Sequence, residues 1–300
     1  MKECKTNFSQ IFMVYSDPEK TVEKTVNLNI NPFIDVTDKN NVRNLVYIID
    51  DPVIIEKICK VMENKTLLIA DGHHRYETAL AYRDFIRSQN SDFKQEDAFN
   101  WVMCYYTNLD DEGLKVYPTH RIITKPVNTQ KLFEELKNYF DISEYPVNKI
   151  DKFQSRQSFI EKLEESSQTN LVFGIYLKNS ENYYMVKLTD KSTVNKILKE
   201  KEVPEVLQNL DLTILHKIVI ENILDITQED QMKQDGIKYI KKEEEAFEAV
   251  ESNTAELVFL MASPKIKDIK EISQGGCRMP QKSTYFYPKL MSGLVINPLT

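Results

Sequence analysis

The sequence predicts a mixed α+β fold, on three observations. Short runs rich in β-branched and aromatic residues are set among longer stretches whose apolar residues recur every three or four positions. The two kinds do not alternate strictly, as a regular doubly wound sheet would require. The 300 residues are 41% hydrophobic and 28% charged, a globular balance with material for one large domain or two ordinary ones.

The elements follow in order. Residues 11–15 (IFMVY) and 44–50 (NLVYIID) read as strands. Pro52 suits the first turn of a helix running to Met62. Residues 66–70 (TLLIA) read as a buried strand that stops at Asp71-Gly72. A helix at 76–87 places Tyr76, Ala79, Leu80 and Arg83 on one stripe, with Phe85 and Ile86 near another. Residues 100–108 form a strand, and 114–123 are expected to pair with it through a turn at 110–113. Together residues 1–125 make the first region.

Pro126 begins a smaller α/β unit over residues 126–200. It holds an amphipathic helix at 130–140 burying Leu132, Phe133, Leu136 and Phe140, then a polar helix near 155–165. Residues 171–177 and 183–188 form a hairpin. Residues 201–300 supply a C-terminal helical region and a tail that complete the core. An apolar helix is expected at 211–224, capped by Asp211 and Thr213. A helix at 241–251 carries a solvated Lys-Lys-Glu-Glu-Glu face, 257–261 is a strand, and a helix at 264–274 ends at Gly275-Gly276. The tail, 278–298, is irregular or extended.

Composition excludes several classes. A net charge of −7 disfavours direct nucleic-acid binding, which needs a basic face. Cys4, Cys59, Cys104 and Cys277 are scattered without paired spacing, as expected for reduced thiols in a cytoplasmic protein. No apolar run approaches ~18 residues and no signal-peptide core follows Met1, so no membrane partner is expected.

The chemistry concentrates at Asp71-Gly72-His73-His74-Arg75. A buried strand must turn there at once into a helix, and Gly72 permits the turn. The first N–H groups of the helix lack intrahelical partners and carry partial positive charge. Arg75 adds a fixed charge with a bidentate donor fork, so the turn is a candidate anion or phosphate site. Asp71 suits a base that takes a proton from an acceptor hydroxyl, or a ligand for Mg2+ on the phosphates. His73 joins Asp71 as a candidate catalytic residue, and Gly72, His74 and Arg75 are the candidate phosphate binders. As a purely structural element, Asp71 would be an N-cap and the histidines ordinary.

Further along, His120-Arg121 could complete a phosphate pocket or serve loop-end structure. In the tail, Arg278, Lys282 and Ser283 could hold phosphates while the neighbouring aromatics stack a base, or the segment could simply pack those aromatics. His216, on an apolar helix, reads more simply as a core histidine. Zinc-site spacings are absent.

At these residues the chain resembles the bacterial and archaeal family called domain of unknown function 1015. The resemblance is carried by Asn7-Phe8-Ser9 with Ile11-Phe12, LLIADGHHRYETALAYRD from Leu67, YPTHR from Tyr117, LDLTILH from Leu210, and RMPQKSTYFYPKLMSGLVINPL from Arg278. The five-residue motif is also similar to the ParB/sulfiredoxin superfamily, in which such a turn binds nucleotide phosphates and free-serine kinases carry a similar Asp-Gly-His-His-Arg. That similarity implies a ParB/sulfiredoxin-like nucleotide-binding element and ATP or ADP with Mg2+ as cofactor. Sulfiredoxin's cysteine would stand where this chain has His73, which argues against its redox chemistry. The family resemblance also implies that the N-terminal region, where the related kinases place an essential glutamate, is missing here.

The leading expectation is a nucleotide-dependent phosphotransferase acting on a small hydroxylated metabolite, inactive if truncated. The alternative is a ParB-type nucleotide-binding switch or partner-binding protein without small-molecule turnover. A third reading is a stable fold that has lost catalysis.

Overall fold

The structure is a computed structural model that describes all residues except 27–29, 40, 278, 281 and 300. The fold is mixed α+β, in two compact units: Met1–Lys115 with Phe286–Thr300, and Val116–Tyr285.

The first unit is built on β1 (Ile11–Tyr15), whose five residues are all buried. A hairpin follows, β2 (Ile34–Thr37) with β3 (Arg43–Val46), and then helix α1 (Pro52–Met62). Asp51 caps α1 by accepting the Val53 N–H at 2.8 Å, with Pro52 in the first turn where its missing N–H costs nothing. The first strand of the hairpin, IDVT, is half polar, which is why apolar runs alone do not find it. Strand β4 (Leu68–Asp71) leads into helix α2 (His73–Gln89), and β5 (Cys104–Asn108) closes the sheet. β1 lies between antiparallel β4 and parallel β5. The β1–β4 register jumps from Phe12↔Asp71 to Met13↔Ile69, so Ala70 is an extra residue in the ladder. Such a bulge re-aims the strand end, and here that end carries Asp71.

Residues 114–123 do not form the expected hairpin with β5. The segment His120–Ile123 is instead strand β6 of the second unit, paired on both sides. All four of its residues are buried, which suits a central strand rather than a half-solvated hairpin arm.

The second unit adds helix α3 (Thr129–Leu136), β7 (Phe140–Pro146), α4 (Lys152–Ser167), the hairpin β8 (Val172–Leu177) and β9 (Asn182–Leu188), and α5 (Lys191–Glu200). After the helical stretch at 211–223 come β10 (Ile237–Ile240), α6 (Glu243–Glu251), β11 (Leu257–Leu260) and α7 (Ile266–Gln274). The strands form one antiparallel sheet in the order β10-β6-β11-β8-β9-β7, so residues 126–200 and 201–285 share a sheet. Period-two alternation sends Phe173, Ile175 and Leu177 into one core with Leu132, Leu136, Val194 and Leu198. Val172 and Tyr176 enter the other, with Phe159, Leu163, Phe247 and Val250. Both faces are therefore covered by helices. Phe140 leaves the predicted helix because α3 ends at Leu136 and Phe140 starts a strand.

The apolar stretch at 211–224 departs most from its α-helical spacing. A single α-turn, Asp211–Ile214, runs into a nine-residue π-helix, Leu215–Ile223. Leu215, Ile218, Val219 and Ile220 are all buried, so packing overrides the period read from sequence. The N-cap is Leu210, not Asp211, and no side chain caps it. Among the described residues, Asp211 accepts only its neighbour's N–H, from Leu212 at 2.6 Å, and the Thr213 hydroxyl has no partner.

Candidate functional site

In the first unit, the chain ends its strand at Asp71 and begins α2 at His73. Gly72 is the N-cap, at φ +97°, so Asp71 is not the cap that a structural reading would make it. A Cβ on Gly72 would lie 2.9 Å from Nε and Nη2 of Arg75. The position thus needs glycine twice over: for its left-handed backbone and for the guanidinium folded across it.

Arg75 reaches back over the turn. Nη2 donates to Asp71 Oδ2 at 2.9 Å, and Nη1 donates to Ser9 Oγ at 3.1 Å and to the Gln10 carbonyl. Lys289, in the C-terminal segment of the same unit, approaches the same Asp71 oxygen at 3.6 Å. Two cations therefore meet one carboxylate at the N-terminus of a helix. Tyr76 N–H is the first to bond within the helix, to the Gly72 carbonyl at 3.0 Å. The N–H groups before it make no backbone bond among the described residues and add partial positive charge.

The two histidines face outward. His74 is fully exposed and lies 3.5 Å from Glu77, and His73 is exposed as well. His74 and Arg75 line a cavity of about 320 Å3 with Asn7, Ser9 and Thr78. Ser9 and Lys289 are site residues that motif reasoning missed. Both lie in the stretches that carry the family resemblance, which was the available signal.

Among the described residues, no group of three His, Cys, Asp or Glu is placed to hold a metal ion. Mg2+ at Asp71 would therefore rest on one carboxylate, ligand phosphates and water, a mode that suits this ion.

His120, Arg121, Lys282 and Ser283 belong to the second unit, and Arg278 lies outside the described residues. His120 is buried in β6, where its Nδ1 accepts the Met261 N–H at 3.1 Å. Burial, reinforced by Arg121, pushes its pKa down to about 4. Arg121 is 1% exposed, with no carboxylate at ion-pair distance among the described residues. Its Nε donates to His216 Nε2 at 3.0 Å, Nη1 to the Thr119 carbonyl, and Nη2 to the Lys282 carbonyl at 3.0 Å. Because Arg121 only donates, His216 must accept through Nε2 and carry its proton on Nδ1, which faces Gln231 Oε1 at 2.6 Å. Burial, followed by Arg121, pushes His216 down to about 3 and keeps it neutral. His216 is thus a bonded interior histidine, as its setting on an apolar helix suggested.

Tyr239 lies parallel to His216 with ring centroids 6.4 Å apart, and Lys282 Nζ sits 4.5 Å from the Tyr239 centroid. Ser283 is buried and lines a small cavity of about 90 Å3 with Arg121, Asp211 and Lys265. Burial raises the enclosed Asp211 carboxyl to about 6, although the residue as a whole is part-exposed. The candidates thus fall into one group around Asp71 in the first unit and another around Arg121 in the second.

The family model described as "Protein of unknown function (DUF1015)" matches residues 1–213, well over half of the chain. The chain belongs to that family. Solved structures similar to this DUF1015 chain include a conserved hypothetical protein from Pyrococcus furiosus, at 18% identity and TM-score 0.40, covering 78% of this chain and 75% of that one. Free serine kinase in complex with AMP is similar at 14% identity and TM-score 0.38, over 92% of this chain and 83% of the kinase. A variant of free serine kinase in complex with ADP gives 14% and 0.38, over 92% and 84%. Likeness at this level assigns no activity. No curated protein matches the chain. Among the described residues, no helix is long and apolar enough to cross a membrane.

Proposed function

We propose that this protein binds a nucleotide at the Asp71–Arg75 turn and transfers a phosphoryl group to a small hydroxylated metabolite. The observation that supports this most is the turn itself. A helix N-terminus with open N–H groups, a glycine at φ +97° and two cations around Asp71 make a site for phosphate oxygens. The resemblance of Asp-Gly-His-His-Arg to nucleotide-binding turns supports the same reading.

In this reading Arg75, Lys289 and the first α2 N–H groups neutralise the transferring phosphate, so catalysis comes from positioning and charge. The Arg75 and Lys289 contacts both use Asp71 Oδ2. Oδ1 is then the atom that receives the acceptor's proton. Asp71 is the residue that would hold Mg2+, and the ion would supply further charge neutralisation. His73 and His74, on the exposed first turn, hydrogen-bond the phosphates.

Calorimetry with ATP and ADP, with and without Mg2+, and a phosphate-transfer assay with hydroxyl metabolites test the proposal. Arg75→Ala should weaken nucleotide binding by about 1.5–3 kcal/mol, the scale of a hydrogen bond to a charged group. Asp71→Asn should abolish transfer. Binding should change little if Asp71 acts as base, and should lose its Mg2+ dependence if it holds the ion. Unchanged transfer in Asp71→Asn would refute this mechanism. Nucleotide binding without transfer in the wild type would favour the switch reading.

A further inference from the structure

The second unit holds a cavity that the phosphotransferase reading leaves unused. Its volume is about 390 Å3, within the range of small-molecule sites. One side is apolar, with Leu207, Leu212 and Met232. The π-helix supplies His216, Lys217 and Glu221 to another side. Helical segments of this kind are frequent at functional sites.

The charge of the lining points to a ligand. Lys201, Lys217 and Lys282 face Glu202 and Glu221, an excess of one cation. Glu221 is shared, at 3.5 Å from Lys201 and 2.7 Å from Lys217. Lys282 makes no ion pair among the described residues and is held only against the Tyr239 ring.

We infer that this cavity binds a small amphipathic carboxylate: its apolar body packs on Leu207, Leu212 and Met232, and Lys282 meets its charge. A hydrocarbon would leave the Lys282 charge unanswered. A polyphosphate would bring more negative charge than a single excess cation balances. The site does not depend on the nucleotide reading, because every residue it uses lies in the second unit.

The test uses the full chain with hexanoate, benzoate and indole-3-acetate, each compared with its neutral amide, by calorimetry and thermal shift. At least one acid should bind saturably at one per chain, with its amide at least tenfold weaker. Lys282→Met should weaken that acid at least tenfold. Met232→Ser should weaken it three- to tenfold without lowering the melting temperature, since Met232 lines the cavity and is 63% exposed. Arg75→Ala should leave the affinity unchanged, which separates this site from the one at the turn. Absence of saturable binding by all three acids would overturn the inference. So would equal affinity for acid and amide, or wild-type affinity in both second-unit variants.

Discussion

Acidification should unfold this protein through two buried histidines rather than through its surface ion pairs. His120 and His216 titrate at about 4 and about 3 in the fold against 6.5 when unfolded. The unfolded chain therefore binds more protons than the folded one below pH 6.5, and stability falls as pH falls through that window. Each pH unit costs about 1.4 kcal/mol per group, so at pH 5 each histidine has withdrawn about 2 kcal/mol. Asp211 works the other way. Its pKa is raised from 3.8 to about 6, so protonation between pH 6 and 5 returns about 1 kcal/mol to the fold. The net loss from these three groups between pH 8 and pH 5 is about 3 kcal/mol. His120→Asn isolates one share, because the asparagine carbonyl replaces Nδ1 as acceptor for the Met261 N–H and cannot take up a proton. Urea denaturation of wild type and variant at pH 8 and pH 5 should show the decline reduced by about 2 kcal/mol in the variant. An identical decline in both proteins would refute the assignment of His120 as a histidine held neutral by burial.

Two backbone positions give independent tests. Gly72→Ala should cost about 1–3 kcal/mol in urea stability through its left-handed backbone, and should weaken nucleotide binding further by displacing the Arg75 guanidinium. Unchanged stability and unchanged binding would mean that the turn does not hold Arg75 in place. At Gly174, a Cβ would stand 2.8 Å from the Phe159 ring and 3.2 Å from Leu260, so Gly174→Ala should destabilise by about 1–3 kcal/mol through overpacking, measured as a lower urea midpoint.

What sequence made legible here was local, and the reason lies in how each feature is encoded. The strand, glycine turn and helix at 68–89 are specified by consecutive residues: an apolar run, a glycine, then a helical stripe. The same holds for the hairpin of β8 and β9. The partners of those residues are not encoded nearby. Arg75 closes onto Ser9 and Gln10, some 65 residues upstream, and Lys289 arrives from more than 200 residues downstream. Nothing in the motif names them. Residues 114–123 misled for a related reason, because a turn followed by apolar residues fits a hairpin arm and a central strand alike. Only the partners, β10 and β11, decide between them.

Arg121 carries this argument furthest. Beside His120, in sequence, it reads equally well as a phosphate ligand or as structure. In the fold its three nitrogens are engaged by Thr119, His216 and Lys282; among the described residues its five N–H donors meet three such bonds, and its charge has no carboxylate at ion-pair distance. Enclosing a guanidinium in this way is costly, and its hydrogen bonds offset part of that cost. What it organises is visible in its partners. It fixes the His216 tautomer and holds the Lys282 carbonyl, so the π-helix and the segment bearing Lys282 are tied to β6 at one point. Both contribute to the wall of the 390 Å3 cavity. If that cavity holds a ligand, Arg121 positions its wall, a role that the sequence could not separate from direct ligand contact because it depends on three partners up to 161 residues away.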